Sequence, residues 1–221
     1  MTPEPVWQVA LFTAAAAAGA TALALGPALA IAWALARGRF VGKAIVETVV
    51  TLPLVLPPVA TGLLLLWAIG PNGPAGRLAQ AVGVDIVFTW KAVVLAMAVM
   101  GLPLLVRTAR TGFEQGTRRY EQMAETLGAG RWRVFTTITL PLAARPILAG
   151  TLLASARALG EFGATIVIAG SIPGRTRTLA SGMYAAIETG QESAATALLA
   201  VSIALAIGAV VLSNRLTSGR A

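Results

Sequence analysis

An all-α integral membrane protein of about five transmembrane helices is what this sequence predicts, and three observations carry the prediction. Long apolar runs recur at the length of roughly 20 residues that a bilayer core demands. Of the 221 residues 57% are hydrophobic and only 12% charged, far below the roughly 25% charged share of a soluble domain. The Lys and Arg residues gather between the apolar runs on one side, as the positive-inside rule describes.

The first run, 7–36, is crowded with Ala and Gly, small residues that let helices approach closely in lipid. A secretory leader opens with a basic segment, whereas Met1 to Trp7 carries Glu4 and no Lys or Arg. The second run, 45–69, contains Pro53, Pro57, Pro58 and Gly62. Such breakers are tolerated only where neighbouring helices or a wet cavity satisfy the freed backbone groups, so a kinked helix inside a bundle is expected. Three further runs cover 87–106, 147–169 and 194–213, the fourth interrupted by a polar ARALGEFGAT stretch beginning at Ala156.

Between the third and fourth runs lies a polar loop, 107–146. Phe113, Tyr120, Met123, Ala124 and Leu127 fall near helical spacing there, with Glu114, Arg118, Arg119, Glu121 and Glu125 elsewhere around the turn. Gly128 and Gly130 are placed to end that helix. A second short helix through Trp132, Phe135 and Ile138 is expected to run to Pro141. Periodicity alone leaves two readings open: an amphipathic hairpin on the membrane surface, or an element on which another protein docks.

Topology follows from the charges. Arg37, Arg39 and Lys43 precede the second run; Arg107, Arg110, Arg118, Arg119, Arg131, Arg133 and Arg145 precede the fourth; Arg215 and Arg220 follow the fifth. The other side holds Arg77, Lys91, Arg175 and Arg177, with Arg157 inside a run. Twelve against four places the N-terminus outside and the C-terminus in the cytoplasm.

Several function classes are disfavoured. The net charge of +8 points to topology rather than to nucleic acid, because no polar domain carries a basic face. Cys and His are absent, which removes thiol nucleophiles, thiolate metal sites and the usual general base. A phosphate loop needs G-x-x-x-x-G-K-[ST]; Gly42-Lys43 is followed by Ala44 and has Arg37 in place of the first glycine. An ATP-independent transporter would show paired internal repeats, and no convincing repeat is found.

The 107–146 loop resembles the cytoplasmic loop of the permease subunits of ATP-binding cassette importers, with the pattern EAA, three residues, Gly, nine residues, Ile-x-Leu-Pro. The matching positions are Gln122, Met123 and Ala124, then Gly128, then Ile138, Leu140 and Pro141. Gln122 and Met123 depart from Glu and Ala, and Glu121 stands one residue early. In that family this loop forms a coupling helix seated in a cleft of the ATPase subunit, which implies contacts at Ala124, Leu127, Gly128 and Ala129. The stretch from Arg157 to Leu179, with LPLVLPPVATG at 52–62 and TLGAGRWRVFTTITLPL at 126–142, is similar to the oxyanion branch and most to the molybdate permeases. Sulfate and thiosulfate permeases share ALGEFG-like and AG-x-IP-like elements, so the oxyanion stays open.

The resemblance implies a type I importer permease, 1–221 forming a single transmembrane domain in a bacterial inner membrane. It implies a homodimer with the pathway at the two-fold axis, two ATPase subunits that carry ATP and Mg, and an external binding protein that delivers molybdate. This chain itself is expected to bind no cofactor, metal or nucleic acid. The chain ending soon after the fifth run, no fused oxyanion-sensing domain is expected. Arg157 and Glu161, four apart on one helix face, are expected to pair, since each lone charge costs roughly 2.5–3.5 kcal/mol on insertion scales. The alternative is a pore-facing gate of Arg157, Glu161, Phe162 and Thr165, in which Glu161 restrains Arg157 rather than touching a dianion. Gly160, Gly163 and Gly170 either narrow the path or permit close packing. Arg175 and Arg177, beside the Pro173-Gly174 turn, are candidate contacts for the external partner, against the plain alternative of solvated loop charge.

Overall fold

The computed structural model describes residues 4–115 and 117–218; Arg220, counted above on the arginine-rich side, lies outside them. Among the described residues every regular element is a helix, and there are no strands. Helix α1 (Val6–Arg37) has 32 residues, about 48 Å at 1.5 Å per residue and longer than a bilayer core. Its Ala16, Ala20, Ala24, Ala28 and Ala32 are buried against α5 (Trp90–Glu114), which also packs on α8 (Leu140–Leu159).

Small residues set the α5–α8 spacing. A Cβ on Gly101 would lie 3.3 Å from Ala154, and one on Gly112 2.9 Å from Pro146. A side chain on Gly150 would collide with the Thr108 hydroxyl. Without a hydrophobic driving force between helices in lipid, such close backbone approach supplies much of the association.

The second apolar run is not one helix. It divides into α2 (Lys43–Val55) and α3 (Pro58–Ile69). Pro57 and Pro58 supply no N–H donors, and Pro58 starts the new helix where a missing donor costs nothing. Among the described residues four helices are long and apolar enough to cross a membrane, namely Val6–Arg37, Trp90–Glu114, Arg131–Leu159 and Glu192–Val211, and Pro58–Ile69 is a shorter apolar helix. The expected five-run pattern therefore resolves into four long helices plus a broken pair. After α3, the short α4 (Pro74–Ala81) leads back to α5.

The polar loop is shorter than its sequence bounds, because α5 runs on to Glu114 and carries Phe113 fully buried. Phe113 thus belongs to the core and not to the loop helix. Then come α6 (Thr117–Thr126) and α7 (Arg131–Val134), followed by a π-helical turn at Phe135–Thr139 that feeds α8 without interruption. Pro141 does not end a helix as expected; it lies in the first turn of α8, where proline is well suited. The fourth run also breaks: α8 stops at Leu159 and α9 (Gly163–Ala169) resumes after Gly160 to Phe162. Finally α10 (Leu179–Glu188) and α11 (Glu192–Ser218) form a hairpin.

Candidate functional site

Three places gather the residues singled out in the sequence. The first is the loop helix α6. It ends in a Schellman motif: Gly128 at φ +83° donates to the Glu125 carbonyl at 3.0 Å, and Ala129 N–H donates to the Ala124 carbonyl at 3.0 Å. The glycine meets the left-handed backbone, and nothing lies within 4 Å of where its Cβ would be. The result is a bare helix end flanked by exposed apolar groups. Tyr120 and Met123 are each 56% exposed, Trp132 76% and Leu127 87%. Gln122, Gly128 and Pro141 are exposed, whereas Ala124, Ala129, Ile138 and Leu140 are half-buried.

Glu121 is the anchor of this element. One carboxylate oxygen, Oε1, accepts from Arg37 Nη2 at the end of α1 and from Thr139 Oγ1 in the π turn, each at 2.6 Å. Sequence reasoning placed Glu121 on the polar side of the loop helix and as a motif glutamate one residue early, without a partner. Its Arg37 partner is 84 residues away, with no local signal to link them. Beside this contact lies an open cavity of about 430 Å³ lined by Trp33, Arg37, Phe40, Glu125, Arg131 and Phe135 among others.

The second place is the α8–α9 break. Arg157 Nη1 lies 2.6 Å from Glu161 Oε2, so the expected ion pair is formed. It does not form on one continuous helix face, however, because Glu161 lies beyond the last residue of α8. Glu161 is 1% exposed, and its Oε1 accepts the Ala164 N–H at 2.9 Å, closing the first turn of α9. One carboxylate thus neutralises a cation and satisfies an orphan donor. Phe162 packs against Tyr184 of α10 with ring centroids 5.0 Å apart, a contact absent from the sequence reading. The Tyr184 hydroxyl donates to Glu188 at 2.7 Å; that bond, with the nearby negative charge, raises its pKa above the ordinary tyrosine value. Thr165 is fully buried on α9, which packs on α3. Gly163 serves packing, since its Cβ would come 2.6 Å from Pro58 Cβ. Gly160 has open space around it, and Gly170 takes φ +68°.

The third place is the segment from Gly170 to Thr178. It returns to Thr13, about two turns into α1, whose hydroxyl accepts the Leu179 N–H at 3.0 Å. Thr176 Oγ1 accepts from Ile172 N–H, and a Thr178–Ser181 capping box starts α10. Buried hydroxyls thereby satisfy the donors of an irregular segment packed among helices. Arg175 and Arg177 part company here. Arg175 is exposed; Arg177 is half-buried, 3.8 Å from Glu4 Oε2, with its stem against Gly182.

Known proteins share this sequence and architecture. Residues 26–217 match the family described as binding-protein-dependent transport system inner membrane component. The chain is 48% identical to the molybdenum transport system permease protein ModB of Escherichia coli (strain K12) over 96% of this chain and 93% of that protein. It is 47% identical to the protein of that name from Haemophilus influenzae over 84% of this chain and 82% of the relative. The sulfate transport system permease protein CysT of Escherichia coli (strain K12) is 34% identical over 84% of this chain and 67% of its own length. A bacterial alginate ABC transporter, solved in complex with an alginate-bound periplasmic protein, has the same fold at TM-score 0.72 and 16% identity, covering 95% of this chain and 78% of that one. With the match extending from the middle of α1 to the end of α11, the chain belongs to the family of inner membrane components of binding-protein-dependent transport systems.

Proposed function

We propose that the chain is the membrane-spanning permease subunit of an ATP-driven molybdate importer. The observation that carries this reading is the 48% identity to a molybdenum permease along nearly the whole chain, joined to a docking element with the importer spacing from Gly128 to Pro141. The sulfate relative is less similar, at 34%, which ranks molybdate first. Under this reading the N-terminus is outside, and the arginine-rich side, with α6, faces the cytoplasm.

Two copies form a homodimer with the pathway at the two-fold axis. Each α6 end, with Met123, Ala124, Leu127, Gly128 and Ala129, enters a cleft of an ATPase subunit that binds ATP and Mg. Closure of the ATPase pair draws the two docking helices together, and the membrane helices open outward to take the oxyanion from an external binding protein. Hydrolysis reverses the change. This is a two-state element biased by ligands at both ends. The break at Gly160 to Phe162 supplies a joint between α8 and α9. There the Arg157–Glu161 pair and the Phe162–Tyr184 contact form the candidate gate, and Arg175 is the candidate contact for the binding protein.

Uptake of labelled molybdate and labelled sulfate in a strain lacking this gene, with and without the gene restored, tests the reading. Restored molybdate uptake supports it. Restored sulfate uptake alone keeps the importer and overturns the substrate.

A further inference from the structure

We propose that Glu121 is a positioning residue that carries motion between the docking helix and the membrane helices, through one carboxylate shared by Arg37 and Thr139. The proposal rests on α6 being the ATPase-docking element. Among the described side chains of α6, Glu121 and Ala124 are half-buried and the others are exposed, so no buried apolar plug fixes this helix. It packs on the π turn, α7 and the end of α5. Towards α1 its tie is polar. Arg37 Nη2 and Thr139 Oγ1 both donate to Oε1 of Glu121 at 2.6 Å, with side-chain exposures of 19% for Arg37 and 14% for Glu121.

The two partners sit where force must pass. Arg37 is the last residue of α1, just beyond the buried Leu35, and Thr139 is the last residue of the π turn that feeds α8. The open cavity of about 430 Å³ between residues of α1 and α6 leaves little packing to transmit a push. A short charge-assisted bond, shielded from most water, is geometrically specific. It therefore holds α6 in register with α1 and α8 while leaving the apolar face of α6 free for the ATPase. Gln122 stands where the family pattern has glutamate, and Glu121 points inward to a different task.

The test uses the complete complex of this chain with its ATPase subunits, in vesicles supplied with loaded binding protein, ATP and labelled molybdate. Glu121→Ala and Arg37→Ala are expected to keep the ATPase at wild-type stoichiometry, while molybdate moved per ATP hydrolysed falls about tenfold, within the usual span of coupling between sites. Reversing the pair, Arg37→Glu with Glu121→Arg, restores the tie to α1 but not the acceptor for Thr139, and is expected to regain part of the loss, a rescue that a merely space-filling role would not give. Should the alanine variants fail to accumulate, Glu121→Gln, which keeps the shape and loses the charge, is expected to show the same fall. Unchanged transport per ATP in a Glu121 variant overturns the proposal; so does loss of the ATPase from it, which would make the carboxylate a docking contact; so does an assembled reversed pair without rescue. Gly128→Trp separates the two readings: if it keeps its ATPase, the docking assignment itself fails whatever Glu121 does.

Discussion

Glu161 shows how one side chain can make a helix break in a membrane protein tolerable. Its carboxylate is buried, neutralised by Arg157 and bonded to the first free N–H of α9. Removing one partner of a buried pair strands the other charge. Arg157→Ala is therefore expected to destabilise the protein by about 2–3 kcal/mol, below the roughly 3–5 kcal/mol of a fully buried pair because Arg157 is 29% exposed. The double variant Arg157→Ala with Glu161→Gln is expected to be more stable than Arg157→Ala alone, since no buried charge remains. Thermal unfolding of the two purified proteins in detergent checks the order, and the reverse order would contradict this account. The Glu4–Arg177 contact at 3.8 Å is looser, but Glu4 Oε1 also accepts the Gly174 N–H at 3.0 Å, so Glu4→Ala is expected to cost about 1–3 kcal/mol by the same measurement. The Arg157–Glu161 pairing was legible in the sequence from the four-residue spacing, although the helix whose face that spacing assumes ends at Leu159. The Arg37–Glu121, Glu4–Arg177 and Phe162–Tyr184 contacts were not, since nothing local in a single chain links residues that only the fold brings together.

Helix ends and helix seams carry the next level of the design. The Schellman end at Gly128 presents a backbone with nothing over it, and its φ of +83° penalises any side chain. Gly128→Ala is expected to cost about 1–2 kcal/mol of local stability, while under the proposed docking of this bare turn Gly128→Trp is expected to abolish co-purification of the ATPase subunit. Retention of the ATPase by the tryptophan variant would refute the docking assignment. Within the bundle, Gly150 meets the Thr108 hydroxyl at the α5–α8 seam. Gly150→Leu is expected to prevent the two helices from meeting, by overpacking of at least about 1–3 kcal/mol, and to remove the folded protein from membrane extracts. The end of α6 was legible, because glycine marks a C-terminus. The division of 45–69 was seen only as a kink: two adjacent prolines separate two helices, which hydropathy averaged over a window conceals. The π turn before Leu140 left no trace in periodicity, for it shifts register within an otherwise helical path.

At the scale of the whole molecule, α5 is the post around which α1 and α8 pack, and the broken helices α2–α3 and α8–α9 meet beside it through Gly62, Gly163 and Pro58. The helical membrane architecture was legible from apolar length and charge placement alone. The number of long helices was not, because Pro57-Pro58 and Gly160 to Phe162 interrupt two apolar runs whose composition is continuous. Large apolar residues stay exposed along α2, α3 and α11, among them Ile45, Val55, Trp67, Ile203 and Ile207, surface that lipid and, in the proposed homodimer, a second copy would cover. Under the proposed function, molybdate passes through this chain only when ATP drives it. The most direct test places the purified chain with its ATPase in sealed vesicles, supplies ATP on the α6 side and loaded binding protein on the other, and follows labelled molybdate. Accumulation that needs both ATP and binding protein, and that stops with a hydrolysis-deficient ATPase, is the predicted result. Molybdate that equilibrates without ATP, or vesicles that move sulfate and not molybdate, would contradict it.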